Sequence, residues 1–115
     1  MSTTVTSNMP AVVNLNVYRG DTWSQQFRFL NEDQPLDLTG LGLLAAARSS
    51  TGDFTDLVVT VVGNPTEGTI QLELPPGGLL PDLYDYDIEI TDQGAVTTWI
   101  RGRLKLERDV TNEQP

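Results

Sequence analysis

At 115 residues the chain has the length of one domain, enough to bury a core without disulfide or metal staples. It contains no cysteine and no histidine, which excludes disulfides, thiolate and imidazole metal ligands, and the usual nucleophile and general-base partners. Sixteen acidic against seven basic residues give a net charge of -9, the wrong sign for a nucleic-acid footprint, and no apolar run approaches bilayer length. The chain is therefore expected to be a soluble non-enzyme with no cofactor and no metal, and with neither nucleic acid nor membrane as a partner.

Residues 1–10 are rich in Ser and Thr and end in Pro10, the composition of an arm outside the packed core. The body is expected over residues 11–108 and a polar tail over 109–115. Val13, Leu15 and Val17 alternate with Asn14, Asn16 and Tyr18, which predicts a half-buried strand. Arg19-Gly20-Asp21 follows; it spells an adhesion tripeptide, but glycine between two charged residues is first of all a turn. Trp23, Gln25, Phe27 and Phe29 share one face of the next strand, and 31–35 is a loop of turn residues. Leu36 to Gly40 is a short extended link.

Leu41 to Arg48 holds good helix formers and also an apolar run of strand length. Tight bounding by Gly40 and by Ser49-Ser50-Thr51-Gly52, with period-two neighbours, predicts a strand. Leu57 to Val62 is β-branched, and Thr69 to Leu74 alternates before Pro75-Pro76-Gly77-Gly78 stops it. Leu83 to Leu106 reads as a β-hairpin. Tyr84, Tyr86, Ile88 and Ile90 share the inner face of its first arm, and Val96, Thr98, Ile100, Leu104 and Leu106 that of its second. Some seven short strands without a helix predict an all-β fold, an immunoglobulin-like β-sandwich of about seven mostly antiparallel strands. In such a fold a tyrosine of the penultimate strand often forms a corner, and Tyr84 and Tyr86 sit at that place.

Asp85, Asp87 and Glu89 put three carboxylates on the outer face, a spacing from which a calcium site or a glycosidase pair could be built. The opposite arm offers a competing role. A three-residue loop of Asp92, Gln93 and Gly94, with Gly94 in a G1 bulge, sets Thr91 opposite Ala95, Asp87 opposite Trp99 and Asp85 opposite Arg101. Acid then neutralises base across the hairpin. Trp99, Arg101, Arg103 and Lys105 form the outer face of the second arm, with Arg108 just beyond. Trp and Arg are the residues that most often dominate protein interfaces, so these five are the candidate protein-interface residues. The competing structural role for Trp99 is to be covered by another part of the same chain.

Tyr18-Arg19-Gly20-Asp21-Thr22-Trp23, Phe27-Arg28-Phe29, Pro35-Leu36-Asp37-Leu38-Thr39-Gly40, Leu83 to Ile90 and Trp99 to Arg103, closing with Glu107 to Thr111, resemble small phage and prophage virion proteins. The nearest family is the N-terminal immunoglobulin-like domain of phage baseplate upper proteins. The resemblance implies a non-catalytic attachment module of the tail or baseplate, located in the virion, homo-oligomeric in the assembly and bound to other virion proteins through its outer strands and both terminal arms. Those proteins continue into helices and a docking region, whereas this chain ends at Pro115, which suggests the module alone. Alternative roles are a capsid cement or decoration protein and a carbohydrate-binding or adhesive module.

Overall fold

A computed structural model describes residues 2–6, 11–18, 23–75 and 82–107. The Arg19-Gly20-Asp21 turn, most of the Pro75 to Gly78 stop, Arg108 and the polar tail lie outside the described residues. Among the described residues there are ten strands: β1 (Ser2–Thr6), β2 (Ala11–Val12), β3 (Leu15–Tyr18), β4 (Ser24–Asn31), β5 (Gln34–Pro35), β6 (Gly42–Arg48), β7 (Phe54–Val61), β8 (Thr69–Glu73), β9 (Asp82–Asp92) and β10 (Ala95–Glu107). One 3-10 turn, Pro65–Glu67, accompanies them.

All ten strands belong to one sheet of order β1-β4-β8-β7-β6-β9-β10-β2, with β3 continuing along β10 and β5 pairing with β4. The sheet curls into a half-barrel, so the expected β-sandwich is corrected to a continuous sheet. The reason lies in β7. Its first half, Phe54 to Leu57, pairs with β6, and its second half, Val58 to Val61, pairs with β8. A strand rich in Val and Thr has no reason to stop between the two, so it carries the ladder from one half of the molecule into the other.

Covalent reach requires the curl. The strands β1 and β2 stand at opposite ends of the order, seven spacings apart, or about 34 Å if the sheet were flat. Only residues 7–10 separate Thr6 from Ala11, a reach of about 18 Å at most. Ser2 to Thr6, within the stretch read from sequence as an arm, pairs in parallel with Gln26 to Leu30 near one end of the sheet, and Leu15 to Tyr18, read as a strand, pairs in parallel with Leu104 to Glu107 near the other.

The core lines the concave side. Phe27, Phe29, Ile70, Leu72, Ile88, Ile100 and Leu104 have no exposed surface. Ala45 and Ala47 are equally buried on β6, the strand left ambiguous by its helix formers, which runs between β7 and β9. Tyr84, Tyr86, Ile88 and Ile90 face inward as their alternation predicts. No polar residue is buried among the described residues.

The hairpin differs from its predicted register twice. Its loop is two residues, Gln93 and Gly94, with φ of 50° and 86°, and Asp92 pairs with Ala95. Two successive left-handed residues make the turn that matches strand twist, and glycine adopts the second without strain. Past Thr98, which pairs with Glu89, the register jumps so that Ile100 pairs with Ile88 and Trp99 is the extra residue of a β-bulge. Before the bulge the phase is reversed, which leaves Val96 58% exposed rather than inward. The two shifts together restore the phase, and acid again meets base, one pair further along.

Candidate functional site

Two cross-strand rows define the outer face. In one, Phe54 on β7, Arg48 on β6, Asp85 on β9 and Arg103 on β10 are successive register partners. In the other, Asp56, Ala46, Asp87, Arg101 and Val12 follow one another from β7 to β2. Over these rows lies an open groove of about 700 Å³, and the small residues Ala46 and Gly102 are among those lining it. Phe54 at 73% and Val12 at 63% are the two most exposed large apolar residues among those described, and both line this groove.

Asp85 sits between two cations, with Arg48 Nη2 3.3 Å from Oδ2 and Arg103 Nε 3.9 Å from Oδ1. Such exposed pairs contribute at most about 1 kcal/mol each, so they set charge pattern rather than stability. Lys105 pairs with Glu107 at 3.9 Å. Arg101, Arg103 and Lys105 are exposed on the outer face as expected. The carboxylates do not converge: among the described residues no cluster of three His, Cys, Asp or Glu could hold a metal ion.

Trp99 is not with the arginines. The bulge turns its half-buried side chain against the core, where its ring centroid lies 5.3 Å from that of Phe29 at an interplanar angle of 56°. The outer-face placement of Trp99 is therefore corrected, and its role as a covered residue is the one observed. Phe29 belongs to β4 and Trp99 to β10, each next to an end of the order, so the tilted pair joins strands that are far apart in the sheet. Beside it is a hollow of about 260 Å³ lined by Leu36, Leu41, Ile90 and Trp99 among others.

Sequence reasoning missed Phe54, Val12 and Arg48. Phe54 follows the Gly52-Asp53 turn just outside the predicted strand, and Val12 precedes the predicted alternation. Their meeting place depends on register across five strands, for which no local signal exists.

One edge of the groove is held by a small device. Tyr86 donates its hydroxyl to the Val13 carbonyl at 2.7 Å, while the Arg103 N–H donates to Asn14 Oδ1 at 3.0 Å and the Val13 N–H to the Arg101 carbonyl at 2.9 Å. Asn14 thus supplies a side-chain acceptor where the β2 to β3 ladder is interrupted. Burial pushes the Tyr86 phenol well above its usual range, so the donor stays protonated.

Burial likewise pushes the Asp87 carboxyl above its ordinary value of 3.8. No ion pair within 4.0 Å joins it to Arg101 among the described residues. The native state therefore holds this proton at pH values where the unfolded chain has lost it, and the ionised form opposes folding. Asp87→Asn is expected to be more stable than the parent at neutral pH. That difference should shrink as pH falls through the native pKa of Asp87 towards 3.8. Denaturant titration of both proteins across this range checks it; a difference that widens on acidification would contradict the assignment.

The fold is an all-β domain with an open groove on the outer face of its sheet. No protein-family model and no curated protein matches the chain. Among solved structures, it is similar to the N-terminal domain of phage TP901-1 ORF48, with a TM-score of 0.53 and 13% identity over 92% of this chain and 96% of that one. The Listeria monocytogenes protein InlP is also similar, with a TM-score of 0.46 and 15% identity over 86% of this chain and 26% of that one. The resemblance to a phage protein's N-terminal domain, read from turns and core positions, is thus present in the fold.

Proposed function

We propose that this chain is a non-enzymatic structural protein of a phage virion, an attachment module of the tail or baseplate that docks onto neighbouring virion proteins through its outer-face groove. The observation that carries this reading is the pairing of Phe54 and Val12, the most exposed large apolar side chains among the described residues, on one groove with Arg48, Arg101 and Arg103. Apolar anchors within a charged surround are the arrangement in which few residues supply most of the binding energy. The similarity in fold to the N-terminal domain of a phage protein, across nearly the whole of both chains, supports a phage structural role.

Of the candidate interface residues, Arg101 and Arg103 belong to this surface and Lys105 extends the exposed row along β10. Trp99 packs on Phe29 away from this row and is not part of the proposed surface. The occupant the groove suits is a partner segment offering an apolar side chain beside a carboxylate: Asp85 already has two cations, whereas Arg101 makes no ion pair among the described residues.

Phe54→Ser is expected to leave thermal stability unchanged within about 0.5 kcal/mol, as for an exposed residue. Incorporation into virions, or co-purification with tail proteins, should fall at least tenfold, equivalent to about 1.4 kcal/mol of lost affinity. Normal incorporation of this variant would refute the groove. Capture by a capsid protein instead would redirect the reading to a cement protein, and binding on a glycan array to an adhesive one.

A further inference from the structure

The N-terminal stretch is held very unevenly. Residues 11–18 pair with β10 through β2 and β3, bury Val17 and engage Tyr86 and Arg103 through Val13 and Asn14. Ser2–Thr6 pairs with a single strand, β4, at the end of the sheet order. Peeling such a strand away is a local event that leaves the rest of the sheet intact. It also bares the N–H and C=O groups along one side of Gln26 to Leu30, an edge that templates pairing with another chain.

We propose that Ser2–Thr6 is an exchangeable strand that leaves β4 of its own chain and pairs, in the same parallel register, with β4 of a second copy, so that copies are joined by reciprocal strand addition. The occupant follows from the register. An incoming segment must offer five residues that pair in parallel with Gln26 to Leu30 and set an exposed residue beside exposed Arg28. The chain's own Ser2–Thr6, with Thr4 opposite Arg28, meets both demands and needs no new contact. The reach of about 18 Å between Thr6 and Ala11 makes pairing in cis depend on the curl of the sheet. Short hinges of this kind favour exchange between identical chains.

The chain has no cysteine, which permits a clean test. Thr4→Cys and Arg28→Cys, both exposed positions, are placed in separate full-length chains that are mixed, refolded together at high concentration and oxidised in air. Under exchange, disulfides joining position 4 of one chain to position 28 of the other should exceed 4–4 and 28–28 links several-fold in peptide mapping. Links in statistical proportion, as expected for Thr4→Cys mixed with Lys105→Cys, would overturn the proposal, as would the absence of any 4–28 link. Both substitutions in one chain give a second readout: reducible dimers under exchange, and only internally closed monomer without it. The groove lies across β7, β6, β9, β10 and β2, none of which pairs with β1, so a failure here leaves the docking assignment untouched.

Discussion

Gly102→Ala is expected to lower stability by about 3 kcal/mol or more, the upper range for forcing atoms into occupied space. A Cβ built on Gly102 would overlap the Val13 carbonyl oxygen and stand 2.7 Å from the carbonyl carbon and 3.2 Å from Asn14 Oδ1. The obstacle is backbone, so no rotamer change relieves it. Moving Val13 aside would break its bond to the Arg101 carbonyl and the one it accepts from Tyr86, each worth about 1 kcal/mol net. Gly42→Ala is the matched control: there the new methyl meets only Thr91, with Cβ nearest at 3.4 Å, an ordinary contact. Urea unfolding of the two variants should separate them clearly; similar midpoints would mean that the Val13 crossing is not rigid.

Phe29→Ala is expected to cost about 3 to 5 kcal/mol. Phe29 has no exposed surface, and its ring is the one Trp99 meets across the mouth of the half-barrel. Removing it opens a cavity between elements that are far apart in the sheet order, where neighbouring strands cannot slide in to fill it. Against a typical stability of 5 to 15 kcal/mol, this is a large fraction. Trp99→Ala, at a half-buried position, should cost less. A double-mutant cycle between the two should return a coupling of about 0.5 to 1.5 kcal/mol for the ring pair. Additive effects would show that Trp99 merely covers the seam without bracing it.

Much of the fold was legible because burial on one face imposes period two. Phe27 and Phe29, Ile70 and Leu72, and Tyr84 to Ile90 declared their inner face through alternation alone, and Leu41 to Arg48 was correctly read as a strand from its boundaries. Three features escaped, each for a physical reason. Gln93 adopts a left-handed conformation that its residue type does not advertise, so the hairpin loop read as one residue longer. The bulge at Trp99 comes from a fit between the ring and Phe29, a residue 70 positions away, and nothing in Thr97-Thr98-Trp99-Ile100 signals it. Pairing of the N-terminal stretch is parallel and long-range, whereas turn chemistry announces only antiparallel neighbours. The arginines of the candidate surface were visible as a cluster; their apolar companions Phe54 and Val12 were not, because they arrive from strands on either side.

The parallel pairing of β3 with β10 also dictates an order of events. Leu15 meets Leu104, so residues 11–18 are synthesised well before the strand that receives them and must wait for it to emerge. Contacts of such sequence separation form late and slowly. The antiparallel ladder from β6 to β10 can assemble from neighbouring segments, and the seam closes onto it afterwards. The seam between β3 and β10 is therefore expected to be the last part of the described sheet to close.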